Sequence, residues 1–339
     1  MQFQDGIHTE SSKKELVLGK LFKVVYENLK GENYMDTIEN PLVSVVIVTY
    51  NSAKFVLDTL ESVKNQTWKN LELIISDDGS TDDTITICSK WLVQNKDRFY
   101  NTLHLTVTQN TGIPANFNRG LRAVNGKWVK TISGDDILLN NCISDNLQYA
   151  QSFPECSFIV SDVKEIDENG IIIRNEVINE GVIFIASKNS VKKQLKAYTR
   201  WPVFLNVPTF FCKTNLIAKV GYCDEDFRIY EDTTMVIRIM EQGLKMHYMN
   251  KSTVAYRIHN NSISRSYEMN DKREREALKI FQKYRTKHLN IFNPLDLSVY
   301  YETWLRFKYM GFYGRRGDSI LRKLSLFYWY MKFNGVKSY

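Results

Sequence analysis

Residues 42–83, LVSVVIVTYNSAKFVLDTLESVKNQTWKNLELIISDDGSTDD, decide the fold. VSVVIVTY is short, β-branched and almost wholly apolar, which suits a strand buried on both faces of a parallel sheet. Residues 53–66 predict a helix, and LELIISDD predicts a second strand that ends in acid. The unit then repeats. A helix is expected over 82–95, a strand at LHLTVTQN, a helix over 114–125 and a strand at WVKTISGDD. Strands alternating with helices imply right-handed βαβ crossovers and an open, mostly parallel α/β sheet flanked by helices.

In such a sheet, ligands bind outside the carboxyl ends of the strands. The four strands end in Thr49-Tyr50-Asn51, in Ser76-Asp77-Asp78-Gly79-Ser80-Thr81-Asp82, in Gln109-Asn110-Thr111-Gly112 and in Ser133-Gly134-Asp135-Asp136. Tyr50 offers a stacking face for a nucleobase, and Asp78 offers acceptors for base N–H groups. Ser80 or Thr81 is placed to cap the next helix. Taken alone, DDGSTDD is also ordinary turn and cap chemistry. Adjacent carboxylates at Asp135 and Asp136 suit a hard divalent cation, as they also suit a solvated helix start. The chain has no G-x-x-x-x-G-K-[ST] loop, and no G-x-G-x-x-G follows the first strand. That argues against an ATPase and a dinucleotide oxidoreductase.

Past Asp136 the pattern loosens. SFIVSDVKEI and GIIIRNEVI read as strands around a turn at 168–170, VPTFFCK as another, and STVAYRIH as the last; a helix is expected over 231–242. Apolar residues at 43% in 339 residues permit a sizeable core and exclude global disorder. The five cysteines form no C-x-x-C pair and no zinc-like spacing, so reduced thiols are expected. The polar start MQFQDGIHTESSKKE lacks a signal-peptide pattern, and no apolar run is long enough to span a bilayer. A cytoplasmic protein is the resulting expectation.

VSVVIVTYN, QTWKNLELIISDDGSTDDT, NTGIPANFNRG and SGDD occur in this order, followed by VGYCDEDFRIYEDTTMVIRI and YRIHNNSIS. The ordered set, over about residues 42–267, resembles family 2 glycosyltransferases, the inverting group with the GT-A fold. The resemblance implies a nucleoside-diphosphate sugar donor, with a UDP-sugar favoured, and a divalent cofactor, Mn²⁺ or Mg²⁺. It implies donor contacts from Thr49, Tyr50, Asn51, Asp78, Asn118, Arg119, Asp135 and His259. It places the metal on Asp136 and His259, and the general base at Asp232 beside Glu231. A positioned carboxylate deprotonates the acceptor hydroxyl as it attacks, and direct displacement inverts the anomeric centre. Ser133 stands where many members have the first acid of D-x-D. Phe117 stands where many have the arginine of A-R-N-x-G. A nucleotidyltransferase-like or non-catalytic nucleotide-binding protein on the same fold is the alternative.

Three regions follow. Residues 1–40 read as an amphipathic helical extension, with Leu16, Leu21, Phe22, Val25 and Leu29 on one face. Residues 41–267 form the catalytic domain, divided into a donor half (41–136) and an acceptor half (137–267). Residues 268–339 form a helical region in which Trp304, Phe312, Tyr313, Trp329, Arg315, Arg316 and Lys332 mix rings with cations. The net charge of +7 is concentrated there. Two readings stand for this tail: a membrane-surface element on anionic lipid, or a subdomain packed on the catalytic unit. No nucleic-acid module accompanies the basic residues. A lipid-linked glycan acceptor would suit the first reading and would place the enzyme peripherally on the inner face of the cytoplasmic membrane.

Overall fold

The computed structural model describes residues 40–334, apart from 202, 204, 229, 260–269 and 309–321. The chain divides into two compact units, Met1–Asn40 and Pro41–Tyr339. The expected N-terminal helix lies outside the described residues. So do Asn260–Ser264 of the closing motif, and Phe312, Tyr313, Arg315 and Arg316 of the tail.

The first half of the sheet forms as its sequence dictates. β1 (Val43–Thr49) pairs in parallel with β2 (Leu71–Asp77) on one side and β4 (Trp128–Ser133) on the other; β3 (Asn101–Thr106) extends β2, also in parallel. Alternate β1 side chains face opposite cores. Val43, Val45 and Ile47 pack with helix α1 (Val56–Lys64) and helix α2 (Thr84–Asn95). Val46 packs with Phe117 and Leu121 of helix α3 (Ile113–Arg122). Burying each such aliphatic side chain contributes roughly 1.5–3 kcal/mol, and both faces are filled, which explains the unbroken apolar run. The cap of α2 differs from expectation. Asp82 takes the Thr84 N–H at 3.0 Å, while Ser80 turns back to bond Asp77.

The second half reverses direction. Beyond β4 come β8 (Phe211–Lys213, antiparallel), β6 (Phe158–Ile166), β9 (His247–Arg257) and the short β5 (Ile137–Leu138). β7 (Ile172–Val177) pairs with β6 off this path. The strand read at VPTFFCK is only β8, because Val207–Thr209 is a 3₁₀ turn. Pro208 has no N–H to give a ladder. The parallel ladders β1–β2, β1–β4, β2–β3 and β6–β9 are the longest, so the sheet is mostly parallel.

Helices α4 (Cys142–Ser152), α5 (Glu180–Ala186), α6 (Val191–Arg200), α7 (Thr214–Val220) and α8 (Glu231–Glu241) complete the unit. Beyond them, α9 (Asn270–Ile280), α10 (Pro294–Lys308) and α11 (Leu326–Phe333) form a C-terminal layer. This layer packs on α5 and α6. Phe281, Val299, Phe327 and Met331 share a core with Phe184 and Trp201. Asp296, fully buried, ion-pairs with Lys196 and with Arg200 at 2.6 Å, and accepts the Asn290 N–H. Burial opposes its ionisation, but the bonds from Lys196, Asn290 and Arg200 hold its pKa below the usual range. The described part of the tail is thus a packed subdomain.

Helix α3 sits close on β1. A Cβ at Gly120 would fall 2.4 Å from Val46 Cγ1. Gly120→Ala is therefore expected to destabilise the fold by about 1–3 kcal/mol, the usual range for overpacking. Urea unfolding followed by circular dichroism measures this.

Candidate active site

Two chain turns build the rim at the ends of β1 and β2. Thr49 Oγ1 donates to Asp77 Oδ2 at 2.7 Å, and Asp77 accepts the Ser80 N–H and hydroxyl. Asn51 adopts φ 50°, a left-handed conformation that asparagine tolerates. Its side-chain oxygen accepts the Thr81 N–H at 2.9 Å. Thr49 is buried, whereas Asn51 is exposed and Tyr50 is 47% exposed, so the tyrosine ring is open to a ligand.

Asp78 is almost wholly occupied by its own chain. Its carboxylate accepts the N–H groups of Thr111 (3.0 Å) and Gly112 (2.8 Å), the Thr111 hydroxyl, and an Arg119 guanidinium N–H at 3.2 Å. A carboxylate has about four lone-pair sites; here four donors meet them. Asp78, expected to bond a base, fastens the 111–112 turn in this structure. Gly112, at φ +97°, makes that turn possible. Arg119 also bonds the Asp77 carbonyl and Asn116 Oδ1, and so ties α3 to β2. Asn118 does not face this rim. It is buried, donates to Cys223 O and Glu225 Oε1, and accepts the Cys223 N–H. Both N–H donors and one acceptor site of Asn118, an expected donor contact, hold the loop before α8.

The second corner lies at the end of β4. Gly134 N–H bonds the Val48 carbonyl, and a Cβ there would meet Thr49 Cγ2 at 2.8 Å, so the acids sit hard against β1. Asp135 points outward, 3.0 Å from His259 Nε2. Asp136 points inward. It is 1% exposed, accepts the Arg257 N–H at 2.9 Å, and burial with the Asp135 charge pushes its pKa well up. Asp136, the expected metal ligand, is thus the buried and internally bonded member of the two adjacent acids. Asp135 and His259 keep side-chain exposures of 31% and 12%. Among the described residues no three His, Cys, Asp or Glu side chains converge as a metal cage. Two protein ligands, with phosphate and water oxygens completing the shell, still fit Mg²⁺ or Mn²⁺.

Arg257 holds this corner, and the sequence reading gave it no role. It is 1% exposed. Its guanidinium donates to the carbonyls of Asp135 (2.8 Å), Asp167 and Glu168 (2.9 Å) and to Asp58 Oδ2 (2.8 Å), and it lies over the Phe55 ring. The available signal was strand period: Arg257 and His259 fall on one face of STVAYRIH.

The third group is Glu231 and Asp232 at the head of α8, each 6% exposed. Asp232 accepts the Thr233 N–H at 2.6 Å. Burial raises both pKa values, and the charge of Asp232 raises that of Glu231 further. The pair borders a cavity walled by Phe117 and Leu121 of α3 and Val129 of β4. Successive faces of α3 thus serve both places: Asn116 and Arg119 brace the strand ends, and Phe117 walls the cavity.

The mostly parallel sheet thus gathers carboxylates, a histidine and an exposed aromatic at its strand ends. Residues 44–219 match the family model for Glycosyl transferase family 2, and the chain belongs to that family. It is 25% identical over 246 residues to the glycosyltransferase GlyG of Streptococcus pneumoniae, covering 71% of this chain and 79% of that one. It is 25% identical over 225 residues to WfaP of Escherichia coli, a UDP-Glc:alpha-D-GlcNAc-diphosphoundecaprenol beta-1,3-glucosyltransferase, covering 66% of this chain and 80% of that one. Among solved structures, S. aureus TarS 1-349 with UDP-GlcNAc has a TM-score of 0.56 at 17% identity, covering 79% of this chain and 73% of that one. The mannosyltransferase PcManGT of Pyrobaculum calidifontis, with GDP-Man and Mn2+, has a TM-score of 0.54 at 14% identity, covering 93% of this chain and 92% of that one. The protein is a glycosyltransferase of the GT-A fold.

The raised pKa of Glu231 has a stability consequence. The native state holds this proton to higher pH than the unfolded chain does. Its contribution is full below the unfolded value, near 4.3, and is lost as pH rises towards the folded one. Glu231→Gln is neutral throughout. Its Tm is expected to match wild type near pH 4.5 and to exceed it by about 3 °C or more at pH 8.5, as read by calorimetry.

Proposed function

We propose that this enzyme is an inverting, metal-assisted transferase that moves a sugar from a UDP-sugar to a hydroxyl of a lipid-linked glycan. The observation that carries the reading is the pairing of an outward Asp135 with His259 at the strand ends, together with a buried acid pair at the head of α8. Tyr50 stacks on the base, and the Asp78–Arg119–Thr111 network shapes the space beside it. Asp135 and His259 would hold the divalent ion, which when bound supplies Lewis-acid stabilisation of the leaving diphosphate. Asp232 accepts the acceptor proton as the oxygen attacks the anomeric carbon, and the sugar inverts because no covalent intermediate intervenes. Burial raises the proton affinity of both acids, and the Thr233 N–H that Asp232 accepts favours the charge on Asp232.

The acceptor class is supported by the relatives. WfaP is named for a diphosphoundecaprenol-linked substrate. A Campylobacter jejuni relative, 34% identical over 123 residues that cover 34% of this chain, is named for a PP-undecaprenol-linked one. The C-terminal layer supports a peripheral position at the inner membrane surface. α11 leaves Leu326, Trp329, Lys332 and Phe333 exposed at helical spacing, beside Lys323 and Leu324. No helix among the described residues is long and apolar enough to cross a membrane.

Asp232→Asn is expected to lower kcat by about 10²–10⁴-fold, the usual worth of a positioned base, with donor KM little changed. Because the base must be ionised and burial raises its pKa, the wild-type rate should fall on the acid side at a higher pH than an ordinary aspartate would impose. Steady-state transfer of labelled sugar between pH 5 and 9 measures both; an active Asp232→Asn enzyme would sink the assignment. The metal assignment is tested by thermal shift with UDP-sugars and Mn²⁺. Asp135→Asn should abolish the metal-dependent rise in Tm, which for a ligand at a hundredfold excess over Kd amounts to about 2.7 kcal/mol. A retained rise would exclude Asp135.

A further inference from the structure

The cavity at the head of α8 has a volume of about 20 Å³. That is room for about one water. Nearly all of its wall is apolar, from Phe117, Leu121, Val129 and Met235, with Thr131, Glu231 and Asp232 among the lining residues. Two of those residues carry buried oxygens without a hydrogen-bond partner, Thr131 Oγ1 and Glu231 Oε2. Leaving such a group unpaired in the interior is costly. Two of them bordering one small cavity point to a shared partner that bonds both.

We propose that the cavity binds one structural water, which accepts a hydrogen bond from the Thr131 hydroxyl and donates to Glu231 Oε2, making Thr131 a positioning residue for the acid pair. A cavity walled only by carbon would stay dry, whereas a buried water requires two to four polar partners. Thr131 Oγ1 and Glu231 Oε2 supply two such partners. Thr131 lies on β4, the strand that ends at Asp135 and Asp136, so the water ties the acid pair to the strand that carries the metal corner. The other titratable groups around the pair are Glu276 of α9, Cys223 of the preceding loop and Tyr198 of α6; Arg285 faces Tyr198 in turn. Burial is the largest influence on both acids, so a bond that stabilises an oxygen at the cavity edge changes their proton affinity directly.

The inference rests on Asp232 acting as the base, and the experiment separates the two claims. Thr131→Val keeps the side-chain shape and removes the hydroxyl. The acid limb of its kcat profile should move up by about one pH unit, a roughly tenfold rate loss on that limb, with KM for donor and acceptor unchanged; Thr131→Ser should restore the profile. A high-resolution crystal structure of the wild type should show a water in the cavity, and that of Thr131→Val should lack it. A dry wild-type cavity, or a Thr131→Val profile that superimposes on wild type while Asp232→Asn is inactive, overturns the water site alone. Activity in Asp232→Asn overturns the base, and the diffraction result then decides the water site independently.

Discussion

The site depends on one buried cation. The guanidinium of Arg257 joins segments that no local pattern connects: the β4–β5 turn through Asp135 O, the β6–β7 turn through Asp167 O and Glu168 O, and α1 through Asp58. Burying a charge costs several kcal/mol unless bonds replace the water it loses. Here three carbonyls, one carboxylate and the face of Phe55 replace it. The backbone N–H of the same residue fixes Asp136. Asp135 is thereby held from behind, free to face outward with His259. The Lys54–Glu168 ion pair closes the same junction at the surface.

Carboxylates of one chemical kind acquire three different characters from their surroundings. Asp78 is ringed by donors and serves as a structural anchor for the rim. Asp135 keeps a side-chain exposure of 31% and a histidine neighbour, which suits a cation. Glu231 and Asp232 are withdrawn from water, which raises their proton affinity and suits proton transfer. Helix α3 serves Asp78 and the acid pair alike. Arg119 reaches Asp78, Asn116 bonds the Thr49 carbonyl, Phe117 walls the acid cavity, and Asn118 fixes the loop leading to Glu231. The close seat of α3 on β1 at Gly120 keeps these registers in step.

The C-terminal layer reaches the acid pair through packing. Asp296 and Arg285 lock it onto α6, through Lys196, Arg200 and the carbonyls of Thr199 and Arg200. Tyr198 of the same helix lies in the field of Asp232. The helical tail, for which the sequence left a membrane-surface element and a packed subdomain both open, packs on the rest of the unit where it is described.

By itself, the sequence determined the parallel half of the sheet. The β-branched runs at 43–49 and 71–77, the intervening helix and the polar strand ends are local patterns, and burial on both faces leaves a run no other stable place. It also marked the acids, because carboxylates at strand ends and helix heads stand out in any reading. What only the tertiary structure decided was what each polar group meets. The antiparallel insertion of β8, the shifted register between β6 and β9, the inward turn of Asp136 and the saturation of Asp78 by residues 33 and 41 positions away all depend on partners distant in the chain. Periodicity encodes which face of an element is buried. It carries no information about which donor meets a buried acceptor, and that pairing settles whether a carboxylate anchors the fold, faces a cation or holds a proton.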